Sequence, residues 1–211
     1  MYVPQAFRES RAEALADLIL SYPFATVIHT HGGEIQAEVL PMIPGNDGHL
    51  RGHVARANPL VDADESEVLV VFHGPDGYIS PNWYPSKHVT GREVPTWNYA
   101  MVQVHGRLRV VHDRDWLMDL LRDLSDRHEA DLPDPWRLED APAEYTSRLL
   151  EAISGIDIEV HRVVGKFKLS QNHPARNRAG VVDGLRGREG ERDAALIELM
   201  LRYQATDEAA E

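Results

Sequence analysis

Cysteine is absent from this chain of 211 residues, and that closes several routes to function at once. No disulfide framework, thiolate nucleophile, iron–sulfur cluster or thiolate zinc site can form. Long apolar stretches are missing too: nothing approaches the roughly 18 residues a membrane helix needs. The opening MYVPQAFRES lacks a basic segment followed by an apolar one, so it does not read as a secretory signal. The expectation is a cytoplasmic protein. GxGxxG, GxxxxGK[ST], GxSxG and HExxH do not occur, so dinucleotide, P-loop, α/β-hydrolase and helical zinc fingerprints are all lacking. Positive charge is scarce, with 22 basic against 34 acidic residues and a net charge of -12. Nucleic-acid binding starts from counterion release by a basic face, and no helix shows an Arg/Lys/Asn/Gln face, so direct DNA binding is not expected. Lysine is scarcest of all, occurring only as Lys87, Lys166 and Lys168.

What is present suits a globule with 43% hydrophobic and 27% charged residues. A chain of this size buries roughly 70% of its unfolded surface and needs no staple. Ser10-Arg-Ala-Glu13 has the capping-box pattern and opens a helix with Leu15, Leu18, Ile19 and Tyr22 on one face. The runs 24–31 and 34–42 flank Gly32-Gly33 and read as a hairpin. Pro44–Gly48 reads as a turn, Leu50–Ala55 as a strand, and Pro59 as the start of a short helical stretch. Glu67–His73 is apolar on both faces and suits a sheet centre. Gly74-Pro-Asp-Gly77 reads as a turn that pairs 78–80 back onto it, with 81–94 a loop. From Trp97 to about His112, Val102, Val104, Leu108 and Val110 alternate with Gln103, His105, Arg107 and Arg109, a strand with one polar face. Asp113 caps a helix over 116–128, Pro142–Ile153 reads as another, Gly155–Val164 as a strand and 191–203 as an amphipathic helix. The fold class is α+β: an antiparallel β-barrel with flanking helices.

Chemistry concentrates in three places. Gly52-His-Val-Ala-Arg-Ala-Asn-Pro59 joins a strand to a helical turn, where free N–H groups and the Arg56 fork suit phosphate and Asn58 sits at the N-cap. Tyr78 to Lys87 and Val94 to Tyr99 interleave aromatics with Ser, Thr, Asn and Lys, suiting a planar ligand or a protein contact as well as plain capping of a barrel end. Gly165-Lys-Phe-Lys-Leu-Ser-Gln-Asn172 follows a strand with two lysines about one phenylalanine. Eleven histidines occur without paired ligand spacing, so no metal site is assigned.

MYVP, GHVARANP, GYISPNWYPSK, VPTWNY with its strand to HGRL, and GKFKLSQN together resemble the PaiB family, FMN-binding proteins named as negative transcriptional regulators. The resemblance implies a split β-barrel like that of flavin reductases and pyridoxamine-phosphate oxidases, dimeric, with flavin sites at the subunit interface. It makes 1–178 the FMN-binding domain and 179–211 a helical tail packing on it. The implied cofactor contacts are His53, Arg56 and Asn58 at the phosphate, then Tyr78, Ser80, Trp83, Lys87, Thr96, Trp97, Asn98, Lys166 and Lys168. Lys87 and the Thr96–Asn98 segment come from the partner subunit in that scheme, and His105 and Tyr99 stand as proton donors. Members of that superfold also hold haem, which is the alternative cofactor. The activity implied is flavin-dependent oxidoreduction of a small molecule; the alternative is a non-enzymatic regulator acting through a partner.

Overall fold

The computed structural model describes residues 1–208 apart from Asn46 and Glu189, and leaves the side chains of 191, 192 and 205–208 undescribed. Asn46, the middle of the expected Pro44–Gly48 turn, and the last three residues of the expected tail therefore lie outside the described residues. The elements in chain order are β1 (Arg8–Glu9), α1 (Ala12–Ser21), β2 (Phe24–His31), β3 (Glu34–Pro41), β4 (Ile43–Pro44), β5 (His49–Ala55), β6 (Glu67–Ile79), α2 (Lys87–Thr90), β7 (Thr96–Val111), α3 (Arg114–Glu129), α4 (Ala143–Glu151), β8 (Ile153–Lys168), α5 (Ala175–Arg186) and α6 (Glu191–Glu208). The strands form one sheet ordered β3-β2-β6-β7-β8-β5-β4, with β1 added on β8. No described helix is long and apolar enough to cross a membrane.

The hairpin β2–β3 turns on Gly32 and Gly33, whose φ values of +59° and +84° are those a two-residue primed turn demands. The sheet then curls. A Cβ on Gly52 of β5 would lie 2.8 Å from the carbonyl oxygen of Pro41 in β3. These two strands approach closely without being neighbours in the hydrogen-bonded order. The barrel is therefore split rather than closed.

Three local readings need correction. Gly74-Pro-Asp-Gly77 is no turn: β6 runs through it to Ile79, and neither glycine has positive φ. The glycines serve close packing instead, since a Cβ would meet Leu18 at 2.9 Å from Gly74 and Leu196 at 2.9 Å from Gly77. Ile153 belongs to a strand and not to the end of a helix, because it pairs with Ala55 in the β5–β8 ladder. Gly165–Lys168 lies within β8, since Arg8 and Glu9 pair with Lys166 and Gly165 and extend the strand.

The chain forms two compact units, interleaved along the sequence: Met1–Leu18, His73–Val102 and Val164–Glu211 in the first, Ile19–Phe72 and Gln103–Val163 in the second. In the first, Ile79, Tyr84, Phe167, Val181, Leu185 and Met200 are buried together with the inner faces of α5 and α6. The expected boundary after Arg178 falls inside α5, a helix the sequence pattern did not signal. In the second, Val27, Phe72, Val104, Leu108, Ile156 and Ile158 form the core. There α3, capped by Asp113 through the Trp116 amide at 2.8 Å, lays Leu120 and Leu124 on Ile43.

Candidate functional site

Strand alternation along β5 sends Leu50, Gly52 and Val54 to the buried side and His49, Arg51 and His53 to the other. His49 Nδ1 lies 3.0 Å from the Asp157 carboxylate, and the Arg51 guanidinium donates to Asp123 at 2.7 Å. His53 has no such partner among the described residues: its Nδ1 is buried without a hydrogen bond there, and burial lowers its pKa, so the imidazole is neutral at pH 7. Just past the strand, Arg56 anchors its backbone N–H on Ala152 at 2.8 Å. Its guanidinium is exposed, has no carboxylate within ion-pair distance among the described residues, and reaches only the Ile153 carbonyl at 3.4 Å. Asn58 is fully engaged: its side-chain oxygen accepts from the Leu60 amide at 2.8 Å, and its amide donates to Glu38 at 3.0 Å. Of the three expected phosphate contacts, Arg56 alone presents an uncommitted cationic fork.

The first unit gathers most of the remaining candidates. β7 and β8 bring Lys166 Nζ to 5.3 Å from the Tyr99 ring centroid, and Tyr2 lies on the same ammonium at 6.0 Å. Lys168 Nζ donates to the Thr96 hydroxyl and to the Trp97 carbonyl at 2.8 Å. Burial, and then the charge of Lys166, lower the Lys168 pKa. Trp97 meets Tyr78 edge to face at 6.2 Å. Asn98 points the opposite way, fully buried, and exchanges hydrogen bonds with Ser170 at 2.9 and 3.1 Å. That places Asn98 among the residues that hold the strand, alongside a Ser170 with φ of 64°. Ser80 caps the 3₁₀ turn Pro81–Trp83 through the Asn82 amide at 3.2 Å, and Lys87 donates to the Asn82 side chain. Trp83 seats on Gly184 of α5, where a Cβ would fall 2.2 Å from its ring, and the Arg188 guanidinium covers it at 5.1 Å.

The two expected proton donors differ. Tyr99 stands among the lysines just described. His105, in the second unit, accepts from the Arg162 guanidinium through Nε2 at 3.0 Å. Burial and then the Arg162 charge lower its pKa, so it is a neutral acceptor. Residue patterns did not single out Tyr2, Arg162 or Ser170. MYVP contained the first and GKFKLSQN the last, but nothing in residue type marks a serine for a left-handed backbone. His29 is 3% exposed, with neither ring nitrogen hydrogen-bonded among the described residues.

The architecture is a split antiparallel barrel with helices around it. The chain matches a FAD- and haem-binding protein from Mycobacterium smegmatis with TM-score 0.62 and 20% identity over 82% of this chain and 78% of that one, a likeness of fold. The chain belongs to the family described as "Putative FMN-binding domain", which residues 1–162 match. It is similar to the "Protease synthase and sporulation protein PAI 2" of Bacillus subtilis, 30% identical over 205 residues, 95% of this chain and 96% of that protein. An uncharacterized protein of Emericella nidulans is 36% identical over 167 residues, and this chain spans 66% of that protein's length.

Proposed function

We propose that this protein binds FMN and carries out oxidoreduction of a small molecule, as a homodimer. The observation that carries the reading is Arg56: an exposed guanidinium at a strand-to-turn junction, its backbone fixed and its fork uncommitted. The donor set suits a phosphate monoester, because a planar fork binds two phosphoryl oxygens at once. The orphaned Nδ1 of neutral His53 stands three residues away and supplies a second polar atom of the right chemistry. When bound, FMN supplies hydride chemistry, and the protein's part is position and electrostatics.

The test is an absorbance titration with FMN. Arg56→Ala removes a charge-assisted contact and should weaken binding by about 2 kcal/mol, roughly thirtyfold. Equal affinity of the two proteins removes Arg56 from the site. Anaerobic mixing of the FMN complex with NADH or NADPH then reads the activity: bleaching at turnover-like rates supports an oxidoreductase, and none supports a regulator. Haem is the second reading, supported by the buried, unbonded imidazole of His29. A Soret band in the protein as purified, lost in His29→Ala, would establish it.

A further inference from the structure

Two of the three lysines in the chain stand on the same face of β8, two residues apart. That spacing separates their backbones by about 7 Å. Among the described residues, neither ammonium has a carboxylate within ion-pair distance, in a chain whose net charge is -12. Two other cations of the first unit do pair with acids: Arg11 binds Glu9 at 2.7 Å and Arg188 binds Asp193 at 2.5 Å. A solvated pair of loop lysines would cost little. These sit on a strand, and one ammonium is held in place by the Thr96 hydroxyl and the Trp97 carbonyl. Its lowered pKa has burial and the second lysine as causes.

The surroundings are aromatic and open. Trp97 is 53% exposed and Tyr78 39%, unusual for rings this large, and they meet edge to face. Tyr99 lies under the other ammonium at 5.3 Å. Paired cations attract an anion, and exposed flat rings attract a flat molecule. We propose that Lys166, Lys168, Tyr99, Trp97 and Tyr78 form a binding site for a planar aromatic anion, the small-molecule substrate. This reassigns Lys166, Lys168, Tyr78, Thr96 and Trp97 from cofactor to substrate. It rests on the flavin reading only for what is done to the ligand once bound.

The probes are 2-naphthoate and 2-naphthyl phosphate, with neutral 2-naphthamide and non-aromatic cyclohexanecarboxylate as controls. Binding is measured by calorimetry at 150 mM salt, with and without saturating FMN. At least one naphthyl anion should bind tenfold or more tightly than both controls, and the tighter of the two identifies the anionic group. Lys166→Gln with Lys168→Gln should abolish that preference, while Lys166→Arg with Lys168→Arg keeps it, which separates loss of charge from loss of fold. Binding should persist when FMN is present. The proposal is overturned if the amide binds as well as the acid, if the glutamine variant binds like wild type, if neither anion binds, or if FMN displaces them competitively. Lysine-dependent naphthyl binding in a protein that takes up no FMN would sink the flavin reading and leave this site standing.

Discussion

Arg56 and His53 stand three residues apart, and their surroundings prepare them for different work. The guanidinium projects from the strand end, exposed to solvent. The imidazole lies on the strand, is partly buried, and is held neutral by desolvation. That has a consequence for stability. The folded pKa of His53 lies below its ordinary value of 6.5, so on acidification the unfolded chain takes up the proton first. The stabilisation is complete above that value and is lost as pH falls below it. Urea midpoints at pH 7.5 and 5.5 should therefore fall further in the wild type than in His53→Gln. An equal fall in both proteins would show that His53 titrates as it does in the unfolded chain. GHVARANP could be read from sequence as a phosphate junction, but the separate duties of its members could not. That Asn58 spends both amide atoms on Leu60 and Glu38 depends on a strand twenty residues away.

At the scale of elements, periodicity was legible where one face meets core and the other does not. β7 shows it best: Val102, Val104 and Leu108 are buried and Arg107 and Arg109 exposed, as the alternation predicts. It failed where glycine serves packing rather than turning. Gly74 and Gly77 resemble punctuation but lie inside β6. Gly180 and Gly184 hide α5, because two glycines weaken a helical pattern that Trp83 needs in order to dock. This yields a test with a sign. In a helix interior Gly→Ala is ordinarily stabilising by roughly 0.5–1 kcal/mol. Gly184→Ala should instead destabilise by about 1–3 kcal/mol, since the new methyl falls into the Trp83 ring. In a Trp83→Ala background the same substitution should become neutral or stabilising. A stabilising Gly184→Ala in the wild type would mean that the Trp83 seat is not packed as described.

At the scale of the whole molecule, the β2–β3 hairpin presents an apolar face that is exposed among the described residues. On the β2–β3 hairpin, Phe24 is 67% exposed, Ile35 81% and Val39 54%, all projecting to one side. The register sets Thr26 opposite Val39, Ile28 opposite Ala37 and Thr30 opposite Ile35, so the stripe crosses both strands. β3 is also the end of the sheet, with one backbone edge unpaired in the hydrogen-bonded order. Proteins ordinarily blunt such an edge with charge; here the charges Glu34 and Glu38 alternate onto the other face. A second copy of the chain is the occupant that the homodimer reading requires, and isologous pairing places each stripe on its twin. A stable interface buries about 800 Å² per partner, so the stripe is its apolar centre and flanking residues complete it. Light scattering at micromolar concentration should give twice the 23.8 kDa chain mass. Ile35→Lys with Val39→Lys should halve that mass while leaving the circular dichroism spectrum unchanged, because neither side chain is in the core. Raising salt to 1 M should not dissociate the wild type, since apolar contact is not screened. A wild type that scatters as a monomer removes the homodimer altogether; a double-lysine variant that stays dimeric moves the interface to another face.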